Sequence, residues 1–149
     1  MAETRAPRAG RAPWHLWLIG ILALLWNGMG ALDYTMTETR NQAYLKAMTP
    51  AQLEYIYGFP AWAVAAWALA VWGGVVACLL LLARKRLAVP VFIVSFIAMC
   101  VTMIYNYGLS NGMEVMGGPS ALAFSGAIFV VAFLLIIYAR ALRARGVLA

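Results

Sequence analysis

The chain has 149 residues, of which 65% are hydrophobic and only 11% charged, and its mean hydropathy is +0.84. Soluble domains are about 45–50% apolar, so a water-soluble globule is excluded: too few polar residues exist to cover the core it would need. The net charge of +6 does not indicate a nucleic-acid partner, because the basic residues stand in short clusters beside apolar runs rather than along one polar face.

In chain order, Arg5, Arg8 and Arg11 precede the first apolar run, 14–32. The layout is like that of a signal peptide. The run is nevertheless long enough to span, carries bulky Trp26 and Met29 near its end, and lacks a small-x-small cleavage pattern, so it is read as a retained span. A helix needs about 20 mostly apolar residues to cross a hydrocarbon core of about 30 Å. Four stretches qualify: 14–32, 60–83, 87–107 and 119–138. Backbone groups in lipid must pair within their own segment, and nothing here alternates with the period of two that a barrel requires. The fold class expected is therefore all-α, an integral membrane bundle of four transmembrane helices forming one domain over 1–149, in contact with the lipid bilayer.

Nine of the eleven Lys and Arg residues fall in 1–13, 84–86 and 139–149; Arg40 and Lys46 alone fall in 33–59, and none in 108–118. The positive-inside rule then predicts that both termini are cytoplasmic and that 33–59 and 108–118 are extracytoplasmic loops. The first loop is too long for a simple connection. Met36, Arg40, Ala43, Tyr44, Ala47 and Met48 recur at helical spacing, and Thr49-Pro50-Ala51-Gln52 reads as an N-cap, a first-turn proline and a capping-box partner. One or two short interfacial helices are expected there.

Within the spans, Asn27 lies six residues before Asp33, roughly 9 Å inside the outer boundary. Its amide is costly against lipid, so it faces the bundle, either holding two helices together or contacting a ligand. Asp33 reads as a carboxylate at a helix end, since no span has an Asp or Glu in its interior. Trp62, Trp67 and Trp72 sit among Ala and Gly in the second span, but steps of five residues turn about 500° on a helix, so the rings form no continuous stripe. Near the outer boundary, Trp26, Tyr34, Trp62 and Tyr105 together with Asn27, Asp33 and Asn106 make up the candidate ligand-binding set. Flat rings with amides and a carboxylate suit a sugar-like or aromatic ligand; rings also gather at any membrane interface.

No catalytic constellation is visible. His15 has no nucleophile or carboxylate near it in sequence, Cys78 and Cys100 lack Cys-x-x-Cys spacing, and there is no glycine-rich phosphate loop. The pattern calls for no metal and no cofactor, and enzyme activity is not expected.

Trp26-Asn27-Gly28, Asp33-Tyr34-Thr35-Met36-Thr37, the stretch 60–67 beginning Pro60-Ala61-Trp62, and Val71-Trp72-Gly73-Gly74 together resemble a family of small bacterial four-span membrane proteins that often carry the label "sugar transporter". The resemblance runs from Trp14 to the third span. It implies a protein of the bacterial inner membrane that transports a small, sugar-like solute, with a homo-oligomer as one way to build a pathway. The alternative is an accessory or structural subunit of a larger membrane complex, whose Trp and small residues pack against other chains.

Overall fold

The computed structural model describes residues 11–149. Arg5 and Arg8, which contribute to the expected orientation, lie outside the described residues. The fold is all-α. Its helices are α1 (Trp14–Glu38), α2 (Gln42–Leu45), α3 (Pro50–Tyr57), α4 (Ala61–Leu82), α5 (Ala88–Ile104), α6 (Gly112–Met116) and α7 (Pro119–Ala144), with a single π-helical turn, Tyr105–Leu109, continuing α5. Four of them are long and apolar enough to cross a membrane: α1, α4, α5 with its π turn, and α7. Their most apolar stretches are at most 22% buried within the protein. Trp14, Leu25, Leu32, Leu87, Val130 and Leu134 are among the large apolar side chains left exposed. A soluble monomer does not carry apolar surface on that scale, so these faces contact lipid, and the chain is a multi-pass integral membrane protein.

The bundle is an arc. α4 packs against α1 on one side and α5 on the other, and α5 packs against α7. α1 and α7 meet across the arc through side chains: His15 Nδ1 lies 2.6 Å from the Tyr138 hydroxyl, and the Trp26 and Phe124 rings are 6.0 Å apart. Small residues set the α1–α4 distance. The Asn27 amide oxygen lies so close to Gly74 that a Cβ there would collide with it, and Asn27 Nδ2 donates to the Ala23 carbonyl at 2.9 Å and reaches Cys78 Sγ at 3.5 Å. Of the two uses expected of Asn27, the joining of two helices is what these contacts show, and the residue also lines the interior.

Three helix ends share one chemistry. After α1, α4 and α7 the chain turns left-handed at Arg40 (φ 55°), Arg84 (φ 58°) and Gly146 (φ 74°). In each case the next amide reaches back five residues: Asn41 to Met36, Lys85 to Leu80 and Val147 to Leu142. This Schellman closure usually takes glycine, and two of the three sites carry arginine instead. At Arg40 the closure interrupts the helical spacing that runs on through Ala43 and Met48. The expected interfacial helix is therefore split: α1 continues to Glu38, and α2 starts afresh where Asn41 Oδ1 accepts from the Tyr44 amide at 3.1 Å. α1 consequently extends about 9 Å past residue 32, and Asp33 and Tyr34 stand on a helix rather than in a loop. The capping box at Thr49 and Gln52, with Pro50 in the first turn, opens α3 as its sequence predicts.

At the end opposite α2 and α3, here the turn end, residues 147–149 fold back on the α4–α5 turn. The Ala149 amide donates to the Arg84 carbonyl (2.9 Å), the Arg86 amide donates to the Ala149 carbonyl (3.0 Å), and Arg84 Nε donates to the Val147 carbonyl (3.1 Å). Val147 and Leu148 thereby join a buried cluster with Leu16, Leu81, Phe92 and Leu142. That cluster closes the turn end. Nothing in the sequence of 139–149 marks it as more than a basic tail, because the pairing depends on how α4 and α7 end.

Candidate functional site

Between α1 and α7 the arc encloses a chamber of about 510 Å³. Each helix contributes one inward stripe: Trp26, Asn27, Gly30 and Asp33 from α1; Trp67, Ala70 and Val71 from α4; Ser95, Met99, Thr102 and Met103 from α5; Phe124, Ser125, Ile128, Val131 and Leu135 from α7. These steps of three and four residues are what one helical face supplies. A second, smaller chamber of about 340 Å³ lies against it and shares Asp33, Trp67, Thr102, Asn106, Tyr107 and Ser125. Its remaining walls include Tyr55 and Ile56 of α3 and Gly112 and Met116 of α6. The two short helices therefore form a lid over the loop end, while the leucine cluster seals the other end below Leu135.

The lid is fastened through the π turn. Tyr55 Oη donates to Asn106 Oδ1 at 2.7 Å and lies 2.6 Å from Ser110 Oγ, and Gln52 Nε2 reaches the Val115 carbonyl at 3.4 Å. Ser110 Oγ donates to the Tyr105 carbonyl at 2.7 Å, capping a helix end loosened by the wider π geometry. That geometry presents Asn106 and Tyr107, adjacent in sequence, to the same chamber; single π turns recur at functional sites for this reason. Burial raises the Tyr55 phenol above its ordinary value, with the neighbouring Tyr105 and Tyr107 adding to the rise and the Ser110 hydroxyl opposing it.

Of the seven residues singled out by sequence, Trp26, Asn27, Asp33 and Asn106 line the main chamber. Tyr34, Trp62 and Tyr105 do not line either chamber. They build the aromatic wall outside it: Tyr34 packs edge-on to Trp67 at 4.9 Å, and Trp62 edge-on to Tyr105 at 5.5 Å, which in turn meets Phe59 at 4.9 Å. Trp62 is half exposed, in keeping with the interfacial belt, and Trp72 also faces outward. Trp67, Ser95, Thr102 and Ser125 are chamber residues that the sequence did not single out. Only their inward spacing could have found them, and it is masked because lipid-facing positions are as apolar as buried ones.

Among the described residues, Asp33 is the sole charged one lining either chamber. The Tyr44 phenol donates to its Oδ1. Chiefly through that hydrogen bond, and then through burial and the carboxylate's charge, Tyr44 is pushed up from 10.0 to about 12. A raised phenol favours the protonated native form. The α2 tether is accordingly at full strength below pH 10 and is lost as pH rises through about 12. Comparing the alkaline absorbance titration of the protein with that of Tyr44→Phe isolates this residue; its step should fall near pH 12 and move back towards 10 in Asp33→Asn. A Tyr44 step near 10 with Asp33 present would show that the bond is absent.

No family model, curated protein or solved structure matches the chain. The site is thus read from its own chemistry. Among the described residues no three His, Cys, Asp or Glu side chains come together as metal ligands would.

Proposed function

We propose that the protein is a small-solute carrier of the bacterial inner membrane, with both termini cytoplasmic and the lid of α3 and α6 on the extracytoplasmic side, and that it is not an enzyme. The observation that carries this reading is a chamber of about 510 Å³ inside a four-span bundle, lined by convergent polar groups and aromatic rings. Small-molecule sites have about that size and that mixture. The orientation rests on the charge count, and the resemblance of the stretches around Trp26, Asp33 and Trp62 adds a sugar-like solute as the family's expectation. With the turn end packed by Leu16, Leu81 and Leu142, the chamber corresponds to one half of an alternating cycle; release to the cytoplasm needs that cluster to part.

A second reading, an accessory subunit or one protomer of a homo-oligomer, draws on α7, whose most apolar stretch is only 6% buried and which packs chiefly on α5. Flux separates the two. Purified protein in liposomes should take up a labelled solute, tested over hexoses and lipophilic monocations, faster than protein-free liposomes and saturably. No saturable uptake of any of them, with a partner chain co-purifying in fixed ratio, would overturn the carrier reading.

A further inference from the structure

The chamber's hydrogen-bond inventory is lopsided. Asn27 Nδ2 donates to the Ala23 carbonyl, Ser95 Oγ to the Ala70 carbonyl at 2.6 Å, Thr102 Oγ1 to the Ala98 carbonyl at 3.0 Å and Asn106 Nδ2 to the Thr102 carbonyl at 3.0 Å. Tyr44 donates to Asp33, and Tyr107 and Ser125 pair at 2.6 Å with the Ala121 carbonyl 3.3 Å from the phenol. Every hydroxyl proton lining the main chamber is thus held by the protein itself, as is one of the two amide protons of Asn106. Among the described residues, the indole N–H groups of Trp26 and Trp67 and the second N–H of Asn106 are what is left of its side-chain donors. The spare acceptors include Asp33 Oδ2 and Asn27 Oδ1, neither of which accepts a hydrogen bond among the described residues. Among the described residues no Lys, Arg or His lines either chamber.

A neutral polyol presents donors and acceptors in equal measure, and most of its hydroxyl oxygens would find no donor here, each at the cost of an unmade bond. A cation with an apolar body meets the opposite situation. Its charge finds the lone carboxylate at low effective dielectric, its onium carbons find the rings of Trp26, Trp67, Tyr107 and Phe124, and its body is matched by Met29, Met99 and Met103. The chamber's volume suits a molecule of roughly drug size.

We infer that the chamber is a binding site for a lipophilic organic monocation, with Asp33 as its counter-charge and the indoles of Trp26 and Trp67 as its aromatic walls. This inference rests on the chamber being the solute site of the carrier reading, and it names the solute class. The test uses the full chain in nanodiscs, with labelled benzyltrimethylammonium as probe and its neutral isostere neopentylbenzene and a hexose as competitors. Saturable binding of the cation is expected, with the neutral isostere competing at least tenfold more weakly. Asp33→Asn should abolish that preference, Asp33→Glu should restore it, and the lipid-facing control Trp72→Leu should leave it intact. Equal competition by the isostere, cation binding unchanged by Asp33→Asn, or no saturable cation binding overturns the inference. Saturable hexose binding without cation binding would overturn it while leaving the carrier reading standing. Cation binding without liposome flux would do the reverse.

Discussion

Leu81→Ala should lower the stability of the bundle by about 2–3 kcal/mol, whereas Leu79→Ala, two residues away on the same helix, should change it by less than about 0.5 kcal/mol. Leu81 is fully buried in the cluster that closes the turn end, and Leu79 is 51% exposed. The contrast follows from what drives packing in a bilayer. Lipid tails are as apolar as leucine, so moving a leucine from lipid into the protein gains little by transfer, and the figure stands at the lower end of what the same change costs in water-soluble cores. The loss that remains is the cavity, whose lining atoms forfeit their dispersion partners. Leu16, Leu142 and Leu148, each at most 1% exposed, line the same cluster and cannot collapse into the space without moving α1, α7 and the returning tail together. Unfolding by denaturing detergent in mixed micelles, followed by tryptophan fluorescence, measures both variants. Equal losses for the two leucines would mean that the turn end is not a packed core.

Gly112→Ala should detach the lid, at a cost of about 1–3 kcal/mol. A Cβ on Gly112 would stand 2.5 Å from the Asn106 carbonyl oxygen, 2.5 Å from the Tyr55 hydroxyl and 3.2 Å from the Asn106 carbonyl carbon. Two of those three atoms are backbone of the π turn, which cannot retreat as a long side chain could. Either α6 slides away from the turn, or Tyr55 moves and gives up its bonds to Asn106 and Ser110, leaving Asn106 Oδ1 unpaired beside the chamber. Amide exchange of α3 and α6 should accelerate, while exchange in α4 and α5 stays as it is. Gly126→Ala is the matched comparison: nothing lies within 4 Å of a Cβ there, and alanine is the better helix former by about 1 kcal/mol. Unchanged exchange in α3 and α6 on replacing Gly112 would show that the lid is not held against the π turn.

The spans were legible in the chain because a run of about 20 apolar residues has few alternatives in lipid. The α3 start was legible because Thr49, Pro50 and Gln52 form a local signal that needs nothing distant. The chamber was readable only in part. Asn27 and Asp33 announced themselves as polar groups in apolar company, and both line it. Tyr34, Trp62 and Tyr105 announced themselves equally, yet they pack outside it, since an interfacial ring and a cavity ring have the same sequence signature. Ser95, Thr102 and Ser125 were silent because serine and threonine satisfy themselves on their own helix or a neighbour's, and so are ordinary in a span. The pairing of His15 with Tyr138, 123 positions apart, and the return of Val147 and Leu148 to the core are products of the arc itself. So is the helical identity of Asp33, which follows from where the left-handed Arg40 ends α1.

The bundle holds its chambers beneath the lid and is shut at the turn end, and α7 passes through both regions. Ser125 lines both chambers, and Ala139, fully buried, belongs to the sealing cluster about 21 Å further along the helix. With Cys78 and Cys100 replaced by alanine, Ser125→Cys and Ala139→Cys can be challenged in intact cells and in inverted vesicles with a membrane-impermeant thiol reagent. With the lid on the extracytoplasmic side as proposed, the Ser125 position should be labelled from the outer side and the Ala139 position from neither. A Ser125 position that reacts only in inverted vesicles, or an Ala139 position that reacts as fast, would contradict it.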